Sequence, residues 1–320
     1  MTVDIADDTA RPVEALPVVE DSVAVGEENG QEIRMAYRAV GPKHARTKLL
    51  LLHGLFDHKG TWRNLMSRLA SPDCQLIAVD LVGHGYSNKP QLAATPRRER
   101  YSLDMQTRYL REFVRRLDLD DVVLGGSSLG GGLALRMVCS PWPQAPRVRG
   151  LILAAAAGYQ QNMPGYIGLL QGWPGALIAS SWGARLAHVT GLTSLVTRIT
   201  LRHAFYDPAA IRADAIAEAV AIQALERTLY AYRYAARNLI PTDIEHFPES
   251  YSQISCPTLV LWGQQDRVVP PLYALRFEAD IPEAELKVYE SCGHAVHIER
   301  VGEVAADIQR WLDERVFPSS

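Results

Sequence analysis

Ser128 stands between Gly126 and Gly130 in the run "LGGSSLGGGLALRM", Leu124 to Met137. A serine hydroxyl alone is a weak nucleophile; it needs a base beside it and a third group to orient that base. The G-x-S-x-G spacing supplies the first requirement. Glycines on both sides leave room for a sharp, strained turn that places the hydroxyl at a helix N-terminus, where free N–H groups can hold negative charge. Gly131 and Gly132 would let that helix pack close to a sheet. Ser127 is one residue off the spacing and is given a supporting role. "SCGHAVHIER" offers His294 as the base, and "LVLWGQQDRVVP" offers Asp266 as the orienting acid. A single histidine or aspartate after a strand is more often structural. The three together, each after its own strand-like run, form a constellation for acyl transfer through a covalent intermediate. His297 shares a segment with His294 but falls in the apolar-patterned start of a helix.

The elements that must position these residues are readable as apolar runs. "KLLLLHG", "QLIAVDL", "DVVLGG", "LILAAAA", "TLVLWG" and "ELKVYES" are of the length and continuity expected of strands buried on both faces. Helical patterns such as "LDMQTRYLREFVRRL" separate several of them, which argues an α/β fold with a mostly parallel sheet flanked by helices. A hairpin of "SVAV" and "IRMAYRAV" around the turn "GEENG" precedes them. Catalytic groups of such sheets gather at the C-terminal strand edge, where Ser128, Asp266 and His294 would all lie. Between "LILAAAA" and "TLVLWG" the mainly helical stretch is too long for one crossover. The expected division is therefore a mobile segment over residues 1–20, a core over 21–158 and 251–320, and an inserted helical cap over 159–250.

Other classes fit poorly. The 320 residues are 48% hydrophobic and 22% charged, with a formal net charge of -3, an ordinary globular composition. Slight acidity and the lack of a Lys/Arg block argue against nucleic acid as a partner. "GGSSLG" lacks the G-x-G-x-x-G spacing, no lysine follows it as in a phosphate loop, and Gly83-His-Gly85 lacks a third glycine. Cys74, Cys139, Cys256 and Cys292 form no C-x-x-C pair, so they read as buried thiols of a reducing compartment. No cofactor and no metal is expected. The acidic N-terminus is not a signal peptide, and no run reaches the length of a membrane span, which points to a cytoplasmic protein.

With "LLLHGLF", "DLVGHGYSNKP", "GSSLGG", "GQQDRVVP" and "GHAVHIE" in sequence order, the chain from about residue 20 onward resembles the α/β-hydrolase fold. The resemblance implies a Ser128–Asp266–His294 triad. It implies an oxyanion hole from the backbone N–H groups of Leu55 and Leu129, no catalytic role for His53, and a structural turn at Asp80, Gly83 and Gly85. Serine at the nucleophile position disfavours dehalogenases and most epoxide hydrolases, which use aspartate there. Ala295 stands where hydrolases of ring-cleavage products often carry tryptophan, which lowers carbon–carbon bond hydrolysis. The pattern is similar to carboxylesterases and monoacylglycerol-lipase-like members, with perhydrolase chemistry and a non-catalytic ligand receptor as alternatives.

The cap runs "YIGLLQGWPGALIASSW" and "LVTRITLRHAFY" are apolar with few charges. Most of these residues are expected to pack the cap onto the sheet, and some, with Leu169 and Leu170 as candidates, to wall a pocket for a small apolar ester. Binding to a membrane surface through the cap is left open, although no basic amphipathic helix supports it.

Overall fold

The computed structural model describes residues 16–318 other than Gln144 and Met163. Most of the expected mobile segment lies outside them, and its end already belongs to β1 (Val18–Glu28). β1 pairs antiparallel with β2 (Gln31–Val40) around Asn29 and Gly30, whose φ values of 52° and 75° suit the two-residue turn that matches strand twist. Most of "GEENG" is therefore strand rather than turn, with a bulge between Ala24 and Gly26.

The remaining strands are β3 (Thr47–Leu52), β4 (Cys74–Val79), β5 (Val122–Ser127), β6 (Val148–Ala154), β7 (Thr258–Gly263) and β8 (Ala284–Tyr289). They form one eight-stranded sheet in the order β1-β2-β4-β3-β5-β6-β7-β8, antiparallel as far as the β2–β4 pair and parallel beyond it. Leu50 and Leu52 of β3 enter one core with Ile77, Leu124 and Phe113; Leu49 and Leu51 enter the other with Leu76, Val123 and Trp311. This alternation is the period of a strand, and burial on both faces is why the run is apolar throughout. β8 departs from the expected pattern. It is the sheet edge, only partly buried along most of its length.

Helices α1 (Arg63–Leu69), α2 (Leu103–Arg116) and α3 (Leu129–Cys139) connect the first strands. Between β6 and β7 lie α4 (Gly165–Gln171), α5 (Trp173–Ile178), α6 (Ser181–Val189), α7 (Leu192–Ala204), α8 (Ala213–Ala224) and α9 (Thr228–Arg237). The chain ends with α10 (Leu272–Asp280), α11 (Val296–Glu299) and α12 (Val301–Trp311). Among the described residues no helix is long and apolar enough to cross a membrane.

The helical segment between β6 and β7, called the cap below, corrects one expectation. Its large apolar residues do not mainly face inward: Trp173 is 79% exposed, Trp182 84% and Leu169 64%. The buried positions of α5, α6 and α7 are instead Gly175, Ala187, Thr193 and Thr197. Small side chains let these short helices lie close to their neighbours, which leaves the bulky ones outside.

Candidate active site

Ser128 links the end of β5 to α3 with φ 53° and ψ −117°, a conformation costly for a residue with a Cβ. Three hydrogen bonds hold it there. Its N–H donates to the Ala154 carbonyl at 3.0 Å, and its carbonyl accepts from Ala157 at 2.9 Å and Gly132 at 3.2 Å. The glycines are dictated by space: a Cβ on Gly126 would overlap the Gly130 backbone, and one on Gly130 would overlap the Leu52 carbonyl. Added side-chain atoms at Gly131 and Gly132 would strike Ala156 and Ala157.

Asp266 follows β7 and is buried. Its Oδ1 accepts from the N–H groups of Val268 (2.8 Å) and Val269 (2.9 Å), and its Oδ2 lies 2.8 Å from Nδ1 of His294. The backbone thus fixes the carboxylate with one oxygen aimed at the imidazole. Nδ1 donates in that pair, which leaves Nε2 to accept a proton. Neither Nε2 nor the Ser128 hydroxyl has a hydrogen-bond partner among the described residues.

His294 is anchored from the cap side. Its own N–H donates to the Ala204 carbonyl, the last residue of α7, at 2.7 Å. Glu299 of α11 accepts from the Gly293 N–H with Oε1 (2.9 Å) and from the Tyr206 N–H with Oε2 (2.8 Å). Burial pushes the Glu299 carboxyl up, opposed by these backbone donors. The sequence singled out neither contact; an acid in an otherwise apolar helical start was the available signal.

Gly54 brings the end of β3 to Ser128: a Cβ there would lie 3.4 Å from that of Ser128. The N–H groups of Leu55, just after it, and of Leu129, first in α3, have no protein partner among the described residues. The Leu55 loop is supported from below. Phe56, at φ 64°, packs on Tyr232 of α9 with ring centroids 5.1 Å apart, and Tyr232 packs in turn, at a tilt, on buried His84. His53 is also buried; its Nε2 accepts from the Leu81 N–H at 3.0 Å, and burial holds it mostly neutral by lowering its pKa. His297 makes no hydrogen bond to Asp266 among the described residues. It bonds Thr61 Oγ1 at 2.9 Å and stacks on Trp62, and burial pushes it down to about 4. Asp80 is enclosed in a turn, where it accepts from the backbone of Lys59 and Tyr86, with Gly83 and Gly85 both at positive φ.

All four cysteines are free, and burial raises the Cys74 and Cys292 thiols to about 12. Among the described residues no His/Cys/Asp/Glu cluster could hold a metal ion.

The family model of the alpha/beta hydrolase fold matches residues 48–301, and the chain belongs to that family. It is similar to 2-hydroxymuconate semialdehyde hydrolase of Pseudomonas putida, 28% identical over 80% of each chain. It is similar also to Lipase 3 of Moraxella sp. (strain TA144), 24% identical over 83% of this chain and 77% of that one. Among solved structures, a thermophilic esterase from Thermogutta terrifontis shares the fold with a TM-score of 0.70 at 21% identity, covering 92% of this chain and 98% of that one.

Proposed function

We propose that this chain hydrolyses carboxylic esters with an apolar acyl or alcohol part. Ser128 Oγ attacks the ester carbonyl while His294 Nε2 takes its proton, and Asp266 stabilises the imidazolium through Nδ1. The N–H groups of Leu55 and Leu129 receive the developing oxyanion. The tetrahedral intermediate collapses, the alcohol leaves with the proton from Nε2, and the acyl group remains on Oγ. Water, deprotonated by the same nitrogen, then releases the acid and restores Ser128.

The observation that carries this reading is the Asp266–His294 bond, with Asp266 Oδ1 committed to two backbone donors. That arrangement supports a role for Nε2 as proton acceptor, because Nδ1 is occupied by the carboxylate. The lipase relative and the esterase fold support an ester as substrate. The Pseudomonas relative, named 2-hydroxymuconate semialdehyde hydrolase, supports a second reading, carbon–carbon bond hydrolysis on the same three residues.

The test is turnover of p-nitrophenyl esters from acetate to palmitate, beside a ring-cleavage product followed by loss of its colour. Ser128→Ala is expected to lose ester turnover and labelling by a fluorophosphonate, while Ser127→Ala still labels. Equal labelling of Ser128→Ala and wild type would remove Ser128 as nucleophile, and turnover of the ring-cleavage product alone would select the second reading.

A further inference from the structure

The outer face of the cap is unusual in both what it exposes and what it lacks. α5, α6 and α7 pack in succession. Each turns an apolar stripe at helical spacing to solvent: Trp173 and Leu177 on α5, Trp182, Leu186 and Val189 on α6, Leu195 and Ile199 on α7. Exposed apolar patches of this extent mark sites of association. Its charge points to the partner. From Tyr159 to Tyr206 the chain contains no aspartate and no glutamate, while Arg185, Arg198 and Arg202 are all exposed. None of these three arginines is in an ion pair among the described residues. By helical spacing they flank the stripes, where long side chains can reach outward past an apolar surface.

We propose that this face docks on an anionic lipid layer. Trp and aliphatic side chains beside unpaired cations are the chemistry of an interfacial helix face, with tryptophan suited to the boundary between headgroup and hydrocarbon. Arginines beside them favour negatively charged headgroups. A protein partner with an apolar patch would need acidic residues in matching places, whereas a phosphate-bearing lipid surface offers both properties everywhere. The face also connects to the site: α7 ends at Ala204, whose carbonyl holds the His294 backbone N–H. The sequence alone concealed this face, because the helices are short and their apolar residues read as packing until their boundaries placed those residues outside.

The docking needs no turnover, so it is tested apart from ester hydrolysis. The full chain is floated with vesicles of non-hydrolysable diether phosphatidylglycerol and phosphatidylcholine in equal parts, and with diether phosphatidylcholine alone. The expected result is flotation with the anionic vesicles, at least tenfold weaker with the neutral ones, and a blue shift of tryptophan emission. Trp182→Ser with Val189→Ser is expected to weaken flotation at least tenfold. Arg185→Glu with Arg198→Glu is expected to abolish the preference for anionic lipid. Leu272→Ser, at an exposed leucine of α10 outside this face, is expected to change nothing. Folding of each variant is checked by circular dichroism. Wild type that stays at the bottom with anionic vesicles overturns the proposal. So does a loss with Leu272→Ser equal to that with the Trp182→Ser and Val189→Ser pair. Self-association dissolved by Trp182→Ser, without flotation, would assign the face to a second copy and also overturn it.

Discussion

The His294 backbone N–H donates to the carbonyl of Ala204 at 2.7 Å, so the main chain that carries the imidazole proposed as base is fastened to the last residue of a cap helix. Two residues on, the Tyr206 N–H reaches Glu299, whose other oxygen holds Gly293. The imidazole is thus set by the core through Asp266 and by the cap through this short ladder. Movement of the cap therefore bears on the orientation of His294.

Glu299 is a positioning residue in that ladder. Glu299→Gln offers only one acceptor oxygen for two N–H groups, which strands a part-buried donor at a cost of about 1–3 kcal/mol. If that cost falls on the orientation of His294, kcat drops by about tenfold while KM changes little. Steady-state kinetics on a p-nitrophenyl ester separate the two. A KM effect with normal kcat would assign Glu299 to substrate binding or cap position instead.

Asp266→Asn keeps an oxygen for Val268 and Val269 and presents an amide to His294. The loop is then expected to remain folded, with an unchanged circular dichroism spectrum. Catalysis is expected to fall by a factor on the order of 10³–10⁴, since the imidazole loses its tautomer and its counter-charge. Near-normal kcat would place the orienting acid elsewhere.

The elbow makes a stability prediction. Gly130→Ala forces a Cβ into the Leu52 carbonyl and is expected to destabilise the fold by about 1–3 kcal/mol, as overpacking does. Gly302→Ala, in α12 with open space around it, is expected to be neutral or to stabilise by about 0.5–1 kcal/mol. Urea midpoints of the two variants measure the contrast, and equal midpoints would show that α3 can retreat from the sheet.

How far the sequence carried this reading depended on the range of the cause. β3 through β7 were legible because burial on both faces writes itself as a continuous apolar run. The elbow was legible because glycine is the only residue its spacing admits. β8 looked like its neighbours in sequence, since an edge position is a property of the finished sheet. Glu299 and Ala204 act through partners distant in the chain, and no local pattern announces such a bond. The cap misled for another reason: which face of a short helix is buried depends on its neighbours, and there small residues took the inside.

Support of the Leu55 loop by Tyr232 can be tested in two steps. Its hydroxyl lies 3.4 Å from the Phe56 carbonyl, a long contact, so Tyr232→Phe is expected to change kcat by less than about threefold. Tyr232→Ala removes the ring that packs on Phe56 and His84, which should loosen the loop that offers the Leu55 N–H. A kcat loss of about 10²-fold is expected from misplacing one oxyanion donor. Equal kinetics for both variants would mean that the loop holds its shape without the ring.

The buried histidines predict the pH dependence of stability. Burial lowers His297 from the ordinary 6.5 to about 4, and His53 and His84 are lowered in the same sense. Above about pH 6.5 His297 is neutral in both folded and unfolded chains, and its contribution is constant. As the pH falls from there, the unfolded chain takes up the proton first, so the folded state loses relative stability. The loss continues until about pH 4, where folded His297 protonates too. At about 1.4 kcal/mol for each pH unit, His297 alone accounts for about 3 kcal/mol across that window. His297→Gln keeps a polar group within reach of Thr61 and cannot titrate there. Its stability at neutral pH can differ from wild type, since the stack on Trp62 is lost, so the informative quantity is the change with pH. Urea midpoints at about pH 7.5 and 4.5 should converge in the variant relative to wild type, at an unchanged slope. A variant with the wild-type change would place the proton uptake on groups other than His297.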